Sequence, residues 1–531
     1  MFGPTKIAAV FVWLLAVVLF RLGWKLAVHR RRFRDLPKPP YSFLFGHIRL
    51  YSKVAKQLSP NSPVSVVFEA IRNKYNLPDV FYIDLWPLSI PFLVTGDLAI
   101  TNHFLNDYTR HPLSLKTGLQ PLAGGNRGLV SDSIHEWHSA RATIRSVFSV
   151  TNVQRYVPDM ARYSMQLREK LLEHVSTGRR FRLIDPIEQW GADLTFCFLL
   201  GDDTAVQNGG WGAELNSQVQ KIIGYAEGPV ATNPWTVRRR KKLKAAVLEA
   251  VRQKIRSALQ DALRRDKTVQ RHNFVCLVDS LADKYKEEFP GRTEWDDDTL
   301  IQHIDTMTTL FLAADVSSMV LTVESAQSPY VYCHIAQNPG VLTELRKEHD
   351  TVFPGDTQTT LKAIEQNPGK VKELPYTTAV IKESLRLRPP GISPTIAPKG
   401  HTVTYNGIEH NLEGFMLYPN LFHLQANKAY MSSPHTYDPT RWLPSPSSEL
   451  ADTWRPFQRG QHSCMGENMM TPGLVIALLL TVRDINVTLA YDEEDLELPQ
   501  EHGGVAFMEG SFASKPNKGL PVTVCLARPL V

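Results

Sequence analysis

The chain has 531 residues, is 43% hydrophobic and carries 36 prolines, so it can bury a large core, and no Gly/Ser linker, low-complexity tract or internal repeat divides it. Its five cysteines, odd in number, far apart and without a C-x-x-C, argue against a disulfide framework and fit a reducing compartment. The formal charge of +6 is matched by six basic residues between Arg21 and Arg34 with no acid among them, so it belongs to a membrane flank and is a poor argument for nucleic-acid binding.

Ile7 to Phe20 is an unbroken apolar run of 14 residues, short of the roughly 20 that span a bilayer. Extending it to Val28 admits only Arg21 and Lys25 as charges, and both can snorkel to the interface. A cleaved signal peptide is the alternative, but the basic cluster follows the run and no small-residue cleavage site is evident. The cluster should stay cytosolic, which places the bulk of the chain there too. Leu36 to Pro40, then Phe45-Gly46-His47, read either as an ordinary linker or as a stiff, proline-rich hinge that holds a domain at a fixed offset.

Val80 to Leu85 and Ile90 to Thr95 predict two strands joined through Trp86-Pro87. From about residue 135 the pattern is mainly helical. Trp137 and Arg141, four apart, share one helix face, either as a surface cation–aromatic pair or as donors for a buried anion. The basic run Arg238 to Lys244 opens an amphipathic stretch to about Arg265, read as a solvated face or a membrane contact. Acids at Glu294 to Asp298 mark the start of a long helix to about Gln327. Its middle, Phe311 to Ser318, sets small residues around Asp315, as an isolated polar cluster or as a face for something large and flat. Pro375 to Arg388 predicts a further helix, with Glu383 and Arg386 adjacent on its surface and Pro389-Pro390 ending it. Strand-like segments follow to about Phe422, then Asp438 to Trp442, where Arg441 can reach the Glu383/Arg386 pair. Pro456 to Gly466 is a loop with glycines on both sides of Cys464, followed by an apolar, helix-compatible run from Leu474 to Val482. Read alone, Cys464 is either a buried structural cysteine or the single protein ligand of a haem iron. A following helix start favours its thiolate.

Taken together and in this order, these features resemble a membrane-anchored eukaryotic cytochrome P450, a haem-thiolate monooxygenase, over nearly the whole chain. Phe457, Gly460, Cys464 and Gly466 match the Phe-x-x-Gly-x-Arg-x-Cys-x-Gly pattern, with His462 in the arginine slot. Glu383 and Arg386 match the Glu-x-x-Arg pair, and Pro439, Arg441 and Trp442 the segment that completes its network. Trp137 and Arg141 match the Trp-x-x-x-Arg helix. The Pro-x-Arg-Trp form and the acid-rich helix start resemble fungal members.

The resemblance implies a mainly α fold with small β-sheets, the haem lying between the long central helix and the cysteine loop. It divides the chain into a transmembrane anchor over 1–28, a basic, proline-rich hinge over 29–47 and a catalytic domain over 48–531. It implies haem b with Cys464 as axial thiolate, Trp137, Arg141 and His462 toward the propionates, and Phe457, Gly460 and Gly466 shaping the loop. Glu383, Arg386 and Arg441 form the structural network. Asp315 and Ser317 are the expected catalytic residues, and Ala313, Ala314, Val316 and Ile396 line the substrate pocket, with Gly504 to Met508 nearby. Electrons are expected from an NADPH-cytochrome P450 reductase, with cytochrome b5 as a further donor, since the chain has no Gly-rich dinucleotide fingerprint of its own. The expected location is the endoplasmic reticulum membrane, single-pass, with the catalytic domain cytosolic. The expected reaction inserts one oxygen atom from O2 into a lipophilic small molecule of fungal secondary metabolism.

Two departures stand out. Val316 occupies the position of a threonine that in the family hydrogen-bonds oxygen and passes protons. This motivates an alternative reading, a haem-thiolate isomerase or rearrangement enzyme that activates no O2; a non-enzymatic haem protein is the remote one. Pro394-Thr395-Ile396 stands where many members carry a propionate-binding arginine.

Overall fold

The computed structural model describes residues 4–59, 61–107, 128–131, 133–214, 216–217, 234–266, 272–315, 327–390, 394–460, 463–496, 504–510 and 514–528. Helices dominate. The first, α1 (Pro4–Arg31), contains a stretch, Phe11–Arg31, long and apolar enough to cross a membrane, with mean hydropathy 1.9. Its residues Phe11, Trp13 and Phe20 are exposed.

The expected strand pair forms as β1 (Val80–Ile83) and β2 (Phe92–Thr95), antiparallel, with Val80 opposite Thr95. Next come α2 (Leu98–Asp107), α3 (Ile134–Arg145), α4 (Val150–Thr177), α5 (Pro234–Arg264) and α6 (Asp297–Asp315). Ser133 caps α3 by accepting from the Glu136 N–H, and Gly178 ends α4 in the left-handed conformation. The Glu383/Arg386 helix is α7 (Pro375–Leu387). It is followed by β3 (Thr395–Ile396) and β4 (Met416–Pro419), which complete a four-stranded sheet in the order β1-β2-β4-β3. β4 runs parallel to β2 and antiparallel to β3. After the cysteine loop, α8 (Glu467–Thr481) packs along α4, and its apolar residues from Leu474 to Leu480 are all buried. A small sheet of Phe181–Arg182, β5 (Ile485–Leu489) and β6 (Pro521–Leu526) closes the fold. The large core cluster contains residues of α4, α7 and α8, so the elements around Cys464 share one apolar interior.

The segment after α1 is not a free linker. Asp84, fully buried at the end of β1, accepts from the Arg30 guanidinium, from Tyr41 Oη at 2.9 Å and from the Trp86 N–H at 3.0 Å. His29 Nε2 lies 3.1 Å from the same carboxylate. Asp84 in turn donates its backbone N–H to His47 Nδ1 at 2.8 Å, and His47 Nε2 donates to the Pro39 carbonyl at 3.2 Å. Burial pushes the His47 imidazole down to about 4, so it stays neutral and can accept at one nitrogen while donating at the other. Phe33 is wholly buried against Tyr41 and Phe415. The last turn of α1 and the proline-rich stretch are thus fastened to the sheet.

Asp84→Ala strands the buried Arg30 guanidinium without its counter-charge. It is expected to destabilise the full-length protein by about 3–5 kcal/mol in urea unfolding and to open the 32–47 segment to limited proteolysis. An unchanged midpoint and cleavage pattern would count against this fastening.

Candidate active site: the cysteine loop and its support

The loop that carries Cys464 is shaped by its backbone. Gln458 and Gly460 have φ of 57° and 76°, left-handed values that reverse the chain ahead of the cysteine. The Cys464 N–H donates to the Phe457 carbonyl at 2.8 Å and closes the turn. Phe457 is buried and packs against Trp454, ring centroids 5.7 Å apart. Gly466 has an ordinary φ of −76°, so its place in the loop does not rest on left-handed geometry.

Cys464 is half-buried and forms no disulfide. Burial pushes its thiol up to about 12, opposed by the Gly466 and Glu467 N–H groups and by Arg141. The helix start at α8 therefore does favour the thiolate, as its sequence predicts, but burial outweighs it. A bound metal cation would favour the thiolate against this burial.

α3 supplies the flank. The Arg141 guanidinium lies 5.5 Å from the Trp137 ring and donates to the Ser463 carbonyl and, at 3.3 Å, to Ser463 Oγ. The pair does share one face, and it faces the cysteine loop. A cleft of about 440 Å³ lies between α3 and the loop, lined by Trp137, Arg141, Gly460, Ser463 and Cys464 among others. One thiol beside a guanidinium and an indole suits a planar cofactor with an iron centre and acidic side arms.

The support behind the loop converges on Glu383. Fully buried on α7, its carboxylate accepts from Arg386 Nε and Nη2 at 2.8 Å each. It also accepts from Arg441 Nε, Trp442 Nε1 and the Asp438 N–H, each at 3.0 Å. The expected Glu383–Arg386–Arg441 cluster is therefore assembled. Arg386 Nη1 donates onward to the carbonyls of Gln425 and Pro434, at 2.8 and 2.6 Å.

Sequence reasoning missed Gln425. Wholly buried, it donates from Nε2 to the Arg386 carbonyl at 2.9 Å and accepts at Oε1 from the Arg455 N–H at 2.7 Å. This amide bonds the α7 network to the start of the cysteine loop. No local pattern marks a lone glutamine in a short turn, so no signal could have found it.

Ile396 pairs with Met416 across β3 and β4 and is partly buried. Ala506, Phe507 and Met508 are buried. Val316, Ser317 and His462 lie outside the described residues, as do the side chains of Ala313, Ala314 and Asp315 at the end of α6.

The Cytochrome P450 family profile matches residues 37–514. The chain is 26% identical over 529 residues to cytochrome P450 monooxygenase polC of Polytolypa hystricis, covering 96% of this chain and 93% of that one. It is 26% identical over 527 residues to cytochrome P450 monooxygenase ptmG of Penicillium ochrochloron, covering 96% and 94%. In fold it is similar to the crystal structure of a cytochrome P450DA heme domain, with TM-score 0.70, 16% identity and coverage of 93% and 98%. The chain belongs to the cytochrome P450 family. It is an oxidoreductase of the P450 monooxygenase class, with a haem-thiolate iron cofactor; the class works with a redox partner and lipophilic substrates.

Glu383→Gln removes the charge that neutralises a buried guanidinium and is expected to cost about 3–5 kcal/mol. Trp442→Phe removes one of the donors and is expected to cost about 1.5–3 kcal/mol. Urea midpoints of the two variants measure the ranking; equal losses would argue against Glu383 as the centre of the network.

Proposed function

We propose that Cys464 is the axial ligand of the haem iron and that the protein inserts one oxygen atom into a lipophilic product of fungal secondary metabolism. The observation that carries this reading is the Cys464 loop, held by the Phe457 carbonyl, flanked by Trp137 and Arg141 and tied through Gln425 to the Glu383 network. When bound, the haem supplies the oxygen chemistry, to which a thiolate ligand lends electron density. The chain's own residues hold, shield and orient. Phe457 and Trp454 cover the loop, Arg141 fixes its backbone at Ser463, and Trp137, Arg141 and His462 offer donors to the propionates. Asp315 and Ser317 would manage protons, and Val316 would line the substrate pocket with Ala313, Ala314 and Ile396.

Full-length likeness to fungal monooxygenases supports the pathway assignment. Electrons come from an NADPH-cytochrome P450 reductase, with cytochrome b5 as a second donor. The chain divides into an anchor over 1–28, a docked collar over 29–47 and a catalytic domain over 48–531, resident on the cytosolic face of the endoplasmic reticulum.

Three measurements test this reading. The reduced, CO-treated protein is expected to show the red-shifted band of a thiolate-ligated haem, and Cys464→Ser to lose it; a band that survives the substitution overturns the ligand assignment. With reductase and the true substrate, product formation is expected to consume O2 and NADPH. Turnover without either would establish the isomerase reading that Val316 motivates. Carbonate washing should leave the full chain in the membrane pellet and release a chain lacking residues 1–28.

A further inference from the structure

Five arginines among the described residues are more than nine-tenths buried, and four of them have a carboxylate. Arg30 pairs with Asp84, Arg168 with Asp484, Arg386 with Glu383 and Arg483 with Asp350. The fifth is Arg455, 2% exposed, in the cysteine loop nine residues before Cys464. Among the described residues its side chain makes one hydrogen bond, from Nη2 to the neutral Asn102 Oδ1 on α2. Its Nε is buried and has no partner among the described residues. Asp452 is committed elsewhere, 2.6 Å from the Arg459 guanidinium. Burial and the neighbouring charge of Arg459 draw the Arg455 guanidinium down to about 10, which leaves it cationic at neutral pH.

A buried charge with spare donors and no carboxylate in hydrogen-bond contact is expensive. The side chain is also held in place. Its backbone N–H is bonded to Gln425, which is bonded to Arg386, so the residue is fixed to the most rigid network around the loop. An anion that completes it must be buried beside the cysteine loop, and on the reading above a bound haem would bring carboxylates there. Across the fold, β3 brings no cation: Ile396 is apolar, and Thr395 offers only a buried hydroxyl that has no hydrogen-bond partner.

We propose that Arg455 is the counter-charge for a haem carboxylate, supplying from the cysteine loop the cation that β3 lacks. This rests on the reading of the Cys464 loop as the haem site. In the bound state a guanidinium and a carboxylate, both costly to bury alone, neutralise one another. Arg455 thereby makes haem retention depend on the ionised side arm, separately from the bond between sulfur and iron.

The test uses the full-length protein as wild type, R455K and R455Q, each loaded with haem or with haem dimethyl ester, whose side arms carry no charge. The readout is the rate of cofactor loss to excess apomyoglobin. With haem, R455Q is expected to release it at least about tenfold faster than wild type, and R455K within about twofold of it. With the ester, the three proteins are expected to release at the same rate. Equal rates for R455Q and wild type with haem overturn the proposal, and so does an acceleration that persists with the ester. If R455Q takes up the ester but not haem, the proposal stands; if it takes up neither, the residue serves the fold instead and the proposal falls. Absence of the red-shifted CO band in wild type would overturn the ligand assignment itself, a failure distinct from any of these rates.

Discussion

The structure depends on one buried carboxylate. Glu383 meets five donors, from Arg386 twice and once each from Arg441, Trp442 and the Asp438 backbone. An ionised carboxylate sealed from water is tolerable only when its lone pairs are used, and here they are. The same contacts fix the guanidinium of Arg386, whose remaining donors hold carbonyls at Gln425, Pro434 and Thr436. The position of the cysteine loop relative to α7 is inherited from this centre through Gln425 and the Arg455 N–H.

The site built on that support is electrostatically incomplete as a bare polypeptide. Burial raises the Cys464 thiol despite the Gly466 and Glu467 N–H groups, and Arg455 is a buried cation whose acidic neighbour Asp452 is paired with Arg459 instead. A sulfur that wants a cation and a guanidinium that wants an anion lie on the same loop. An iron-centred cofactor with carboxylate arms answers both, and it links cofactor binding to the stability of the fold.

At the other end of the chain, Asp84 performs a similar service for the membrane-compatible helix. By gathering Arg30, His29, Tyr41 and the Trp86 N–H, it binds the last turn of α1 and the proline-rich stretch to the sheet. The stiffness that the prolines imply becomes a fixed offset only because a buried carboxylate holds both sides.

Local chemistry made much of this legible beforehand. Apolar periodicity and breakers marked β1, β2 and α7; four-residue spacing put Arg141 over Trp137; three-residue spacing put Arg386 against Glu383. The glycine at 460 told of a left-handed turn, whereas the glycine at 466 proved to sit in ordinary helical geometry. Other features were invisible for a physical reason. Whether a guanidinium is paired depends on what surrounds it from distant parts of the chain: Arg455 lies 353 positions from Asn102, and Arg30 lies 54 from Asp84. Gln425 has no pattern around it and gains its role only where three segments meet. Element types, family and candidate ligand could be read from the residues alone, because they rest on patterns among near neighbours. Which charges are satisfied emerged with the fold, because burial and pairing are properties of the packed interior.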